Sequence, residues 1–305
     1  MEDFPEGTIL YDSIGPFVPD EEEALQRIHN ELAPIFEIAS SLFDYSTNLF
    51  DQGPDIPRDL LPDTVRLGLG MYSQVLKCYR SVVANVQLGL SETASAACRI
   101  LFETSATASF IFRHSIKLRQ FENGKLIELE DTYQQLTVDL RAQLYELHER
   151  YENRRWVEDV DRLGASEDLV SEVRSLTADP DFVEALEQQV GPKWVSRVKK
   201  YRHYSGMGMK SVAVSLDEAY WSYYLLRYRP LSWSVHAGNA NWSVNSDVGE
   251  DGKTAAISVS WYSNPSDLWL PIMDATALTF FCPKGFCQEV CKFRTESARF
   301  IRSLF

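Results

Sequence analysis

The sequence predicts an all-α protein, mainly a multi-helix bundle, with one small β-hairpin insertion near residues 242–262. Three observations lead there. Long segments beginning near Asp20, Asp63 and Ser91 have helical character and are separated by Pro- and Gly-rich punctuation. The segment from Ser91 is rich in small residues (Ala94, Ala96, Ala97, Ala106, Ala108), as a closely packed central helix requires. Strand-like alternation is confined to two short runs flanking Gly249-Glu250-Asp251-Gly252.

Taken in order, residues 1–19 hold three prolines and no periodicity, and read as an extended acidic N-terminal arm. A helix is expected over 20–50, with acidic residues in its first turn where the helix dipole favours them. Pro54, Pro57 and Pro62 mark a linker. Helices follow over 63–88 and 91–118, the second opened by Ser91-Glu92-Thr93. Asn123-Gly124 is a turn, and 125–162 is expected to form one long polar helix with a solvated face. A helix over 166–190 ends at Gly191-Pro192, and others are expected over 210–229 and 230–236. A last helix covers 265–304, kinked or broken at Pro283 and Gly285. There is no internal repeat, and residues 20–305 read as a single α-helical domain.

The 305 residues carry a net charge of −14, with 45% hydrophobic and 24% charged residues. That is ordinary globular composition. The charge opposes wholesale binding to nucleic acid or an anionic membrane, but leaves room for a local basic site. Five cysteines are too few for a disulfide framework and fit a reducing cytoplasm. The N-terminal 23 residues carry eight acidic and no basic residues, unlike a secretory leader. No run approaches the length of a membrane span. A cytoplasmic protein is expected.

The richest stretch runs from Tyr201 to Trp242. Residues 193–229 hold eight basic residues against Asp217 and Glu218, a net +6, so the remaining chain carries −20. Seven aromatics fall within Tyr220–Trp242, against an overall aromatic content of 12%. Aromatics in a basic setting can stack bases, although they also fill cores. Arg229, Ser232 and His236 have the spacing i, i+3, i+7 that shares a helical stripe. Together they suit metal-independent phosphodiester cleavage. His236 moves a proton, Arg229 stabilises charge on the phosphorus oxygens, and Ser232, Asn239 or Asn241 orients the substrate. His203, Tyr204, Lys200 and Arg202 are candidate substrate contacts. The competing structural reading has Arg229 in a buried ion pair and His236 bridging helices. Pro230 interrupts the stripe, because it cannot donate to the Leu226 carbonyl, and a new helix can start there.

Arg99 and Glu103 lie one turn apart on a largely apolar helix and can pair as a lock between helices; alternatively Glu103 orients Arg229 or His236. Breaking a buried pair of this kind costs roughly 3–5 kcal/mol. Cys282, Cys287 and Cys291 lack the second ligand pair of a zinc site, and no metal or cofactor is expected. His29, His114 and His148 are isolated.

The combination Arg99-Ile100-Leu101-Phe102-Glu103, Tyr204-Ser205-Gly206, Tyr228-Arg229-Pro230-Leu231-Ser232 and then His236 resembles a bacterial family of helical domains of unknown function, over residues 65–245. Pro230 in the variable slot and Ala237-Gly238 after the histidine depart from that pattern. The spacing from Arg229 to His236 is also similar to that of the HEPN ribonuclease superfamily. That second resemblance implies a HEPN-like bundle, RNA as substrate, a homodimer, and a setting in a toxin–antitoxin or phage-defence system. The alternative expectation is a non-catalytic binding or scaffold protein that meets a partner through its acidic N-terminal arm.

Overall fold

A computed structural model describes residues 21–51, 62–113, 116–123, 125–128, 136–164, 166–175, 177, 180–201, 203–229, 244–248, 254–259 and 265–281. The expected arm, the 230–236 helix, Pro283, Gly285 and the C-terminal cysteines lie outside them.

The protein is mostly helical. Its helices are α1 (Glu21–Asp51), α2 (Asp63–Gln87), α3 (Ser91–Phe112), α4 (Val138–Arg162), α5 (Glu167–Ser175), α6 (Pro180–Val190), α7 (Pro192–Tyr201), α8 (Met209–Leu216), α9 (Glu218–Tyr223) and α10 (Pro265–Phe281). A π-helical turn, Tyr224–Tyr228, continues α9. Among the described residues two antiparallel hairpins accompany them: β1 (Arg119–Glu122) with β2 (Lys125–Glu128), and β3 (Val244–Val248) with β4 (Thr254–Val259). The second is the hairpin expected near 242–262. No helix among the described residues is long and apolar enough to cross a membrane.

The chain forms two compact units, whose boundaries fall inside α2 (Val75/Leu76), α3 (Leu101/Phe102) and α10 (Leu278/Thr279). In the first, α1 buries Ile28, Leu32, Ala39 and Leu42, which recur at helical spacing along one stripe. The Tyr79 hydroxyl of α2 donates to the Ala39 carbonyl at 3.3 Å, and the Cys98 thiol of α3 donates to the Pro271 carbonyl of α10 at 3.2 Å. Cys78 and Cys98 are buried.

The second unit holds the candidate site. Its axis is the C-terminal half of α3, where every residue from Ser105 to Phe112 is buried. The small side chains Ala106 and Ala108 allow neighbours to approach from several sides, as the composition implied. Thr137 caps α4 by accepting from the Leu140 amide. Buried Arg141 on α4 donates to the Phe110 carbonyl at 3.1 Å, placing a cation near the C-terminus of α3. α4 packs against α5, α6 and α7, while α8 packs against β1 and α9.

Four expectations need correction. Residues 125–128 are a strand of the β1–β2 hairpin rather than the start of a helix, and α4 begins only at Val138. α3 stops at Phe112, short of 118. The 166–190 segment is two helices, because Pro180 opens a new one. The 210–229 segment breaks at Asp217, whose extended backbone ends α8 and whose side chain accepts from the Tyr220 amide to cap α9.

Candidate functional site

The site grows from the junction of α3, β1 and the α8–α9 segment. Arg113, just past α3, donates to the Leu216 carbonyl at 2.6 Å and to the Asp217 carboxylate at 2.6 Å. Burial raises the Asp217 pKa, but the Arg113 and backbone hydrogen bonds outweigh it and hold the group below the usual carboxylate range. This clamp fixes where α9 starts, and hence where its aromatics point.

Those aromatics form two layers. Beneath lies Phe102, fully buried, with Tyr223 stacked on it at 5.0 Å and Tyr228 tilted against it at 5.1 Å. Above runs a half-buried series. Phe121 of β1 meets Trp221 at 5.0 Å, Trp221 stacks on Tyr224 at 5.7 Å and 9°, and Tyr224 stacks on Tyr228 at 5.2 Å and 22°. Residues 221, 224 and 228 follow the helical stripe spacing, and the hairpin that the sequence reading missed supplies the fourth ring. Lys210 of α8 sits over Phe121 at 4.7 Å. At the other end stands Arg229, exposed; burial raises the Tyr224 pKa and the Arg229 charge only reduces that rise.

The π turn ends at Arg229, whose amide donates to the Tyr224 carbonyl five residues back. Glu103 meets the Tyr228-Arg229 element at the tyrosine: the Tyr228 hydroxyl donates to its carboxylate at 2.6 Å. Arg99 lies one turn earlier on α3 and is half-buried. Ser232, His236, Asn239, Asn241 and Arg202 lie outside the described residues.

Lys200 is exposed at the end of α7. The substrate-contact expectation does not carry over to Tyr204, which is only 5% exposed and packs between Phe110 and Tyr145. His203 is mostly buried beside it, ring centroids 4.2 Å apart. Its Nδ1 lies 2.7 Å from the Ser205 hydroxyl and donates to it in the Nδ1–H tautomer. The Ser205 hydroxyl in turn donates to the Met207 carbonyl at 2.9 Å. Gly206 has φ +62°, and a Cβ there would come within 2.8 Å of the Arg197 Cβ, so Tyr204-Ser205-Gly206 is a built turn that requires its glycine. Among the described residues, no group of three or more His, Cys, Asp or Glu side chains is placed to hold a metal ion.

The model of a family of unknown function (DUF5677) matches residues 66–254. That span runs from α2 into β4 and includes Arg99, Glu103, the Tyr204–Gly206 turn, the aromatic series and Arg229. The chain belongs to this family. No curated protein and no solved structure matches it.

Proposed function

We propose, with membership of this family as the premise, that the chain binds single-stranded RNA on the aromatic face of α9 and the π turn. One observation carries the reading: four half-buried rings in series, with Lys210 at one end and exposed Arg229 at the other. Rings offer bases a stacking surface whatever their identity, and flanking cations meet the phosphates between them. The rest of the surface, strongly acidic, would repel a polyanion, which confines binding to such a place. On this reading the HEPN-like expectation extends it: Arg229 steadies a phosphate and His236 transfers a proton in cleavage, in a site completed by a second protomer.

The test is fluorescence anisotropy with a labelled oligouridylate. Stacking is worth about 1–3 kcal/mol per base. The double variant Trp221→Ala/Tyr224→Ala is therefore expected to weaken binding by about tenfold or more. Unchanged affinity, or no binding by the wild type, rejects the proposal. For the catalytic extension, His236→Ala is expected to abolish cleavage while the melting temperature stays close to that of the wild type. A second reading, a non-catalytic protein-binding surface, draws on Leu226, an apolar side chain 71% exposed on the same turn. It expects a Leu226→Ser variant to lose a protein partner while RNA behaviour is unaltered.

A further inference from the structure

Three of the four rings in the aromatic series are oxidisable: Trp221, Tyr224 and Tyr228. They follow one another without a gap, with centroids 5.7 Å apart at 9° and then 5.2 Å apart at 22°. Rings stacked at such separations overlap, so an electron vacancy made on one passes to the next. Phenylalanine bounds the set. Phe121 lies beside Trp221 at 5.0 Å, and Phe102 lies against Tyr228 at 5.1 Å. A phenyl ring is much harder to oxidise than an indole or a phenol, so neither carries the vacancy further.

Charge decides where the vacancy settles. A phenol that loses an electron becomes a very strong acid, and its oxidation is completed only when the proton has a base to go to. The Tyr228 hydroxyl already donates to the Glu103 carboxylate at 2.6 Å, so that base is in contact. Tyr224 has the opposite neighbour: the Arg229 charge acts on it, and a cation opposes a second positive charge on that ring. Lys210, over Phe121 at 4.7 Å, has the same effect at the Trp221 end. Tyr228 is therefore the terminus. Exposure alone would favour another tyrosine, because Tyr45 of α1 is 62% exposed whereas Tyr228 is half-buried.

We propose that Trp221, Tyr224 and Tyr228 form an oxidation relay that ends on Tyr228 and makes it a site of nitration by the carbonate radical and nitrogen dioxide. These are the two radicals released when peroxynitrite meets carbon dioxide. The carbonate radical takes one electron from Trp221 and becomes carbonate. Trp221 is refilled from Tyr228 through Tyr224, and the Tyr228 hydroxyl proton passes to Glu103. Nitrogen dioxide then forms a C–N bond ortho to the phenoxyl oxygen. The hydrogen displaced from that carbon returns to the oxygen, and the proton held by Glu103 passes through solvent to carbonate. The products are nitrotyrosine and bicarbonate. The relay uses the rings of the RNA surface but does not depend on RNA binding.

The experiment exposes the full chain, without RNA, to a limiting amount of peroxynitrite in bicarbonate buffer. Nitration of each tyrosine is read by peptide mass spectrometry, with Tyr45 as the reference within the same molecule. Tyr228 is expected to be nitrated ahead of Tyr45 despite its lower exposure. Glu103→Gln keeps a hydrogen-bond acceptor but removes the base, and is expected to lower the ratio of Tyr228 to Tyr45 nitration by about tenfold or more. Trp221→Phe removes the entry point and is expected to lower the ratio as well. The proposal is overturned if Tyr45 is nitrated as readily as Tyr228 in the wild type, or if either variant leaves the ratio unchanged. The wild-type comparison needs no variant, so it stands even if a substitution impairs folding.

Discussion

His203 shows how far the titration of one mostly buried side chain is shifted by its surroundings. Burial, helped by the charge that His148 can carry, ring centroids 6.3 Å away, lowers its pKa to about 4. An unfolded histidine titrates near 6.5. Between about pH 6.5 and 4 the unfolded chain therefore binds more protons than the folded one, and stability falls as the pH falls through that window. The loss is complete below about pH 4 and amounts to at most about 3 kcal/mol. His203→Gln removes the titrating group, so its melting temperature is expected to fall less steeply than that of the wild type over this range. Parallel curves for the two proteins would show that His203 is not held neutral in the fold. The sequence marked His203 as special because it sits in a basic segment beside Tyr204, but the physical reason is different. Gly206 adopts a left-handed φ, the turn folds back, and Tyr204 is carried into the core. Single-residue chemistry was legible; the direction in which the turn sends each side chain was not, because it depends on packing against Phe110 and Tyr145 from distant positions.

At the scale of elements, the π turn and α3 are joined by Tyr228 and Glu103, 125 residues apart in sequence. A hydroxyl donating to a carboxylate is a charge-assisted bond, worth about 1.5–3 kcal/mol when buried and less at this half-buried site. Tyr228→Phe keeps the ring on Phe102 and Tyr224 but removes the donor. Urea denaturation is expected to show a loss of about 1 kcal/mol, while RNA affinity remains near that of the wild type. Tyr228→Ala, which removes the end ring as well, is expected to lower both. If Tyr228→Phe lowers RNA affinity as much as Tyr228→Ala, the hydroxyl rather than the ring makes the contact. Helices with long apolar stripes, α1 and α2, could be read directly from the sequence. α7 could not, because Pro192 reads as a terminator although proline at the first helical position is also an initiator. The β1–β2 hairpin was hidden for another reason. Its strands are four residues each, alternate weakly, and depend on Phe121 finding Trp221.

For the whole molecule the governing quantity is charge. A chain of net −14 binds a polyanion only where local cations outweigh its general repulsion. The basic island of the sequence occupies two places in the second unit: α7, which packs on α4 and α6, and the segment from Lys210 to Arg229, with α8 on β1 and α9. If stacking dominates and only Lys210 and Arg229 meet phosphates, log K against log salt should have a slope of about −1.4, at roughly −0.7 per phosphate on a single strand. Screening of the acidic surface, over a Debye length of about 8 Å at physiological salt, makes the observed slope shallower still. Arg229→Ala is expected to reduce the magnitude by about 0.7, whereas Trp221→Ala weakens binding at every salt concentration and leaves the slope alone. A wild-type slope of about −2.8 would instead correspond to four contacts, as when Lys199 and Lys200 of α7 join. That outcome would move the binding surface from the aromatic series to the basic helix. The slope measured on the Arg229 and Trp221 variants thus separates binding by stacking from binding by charge.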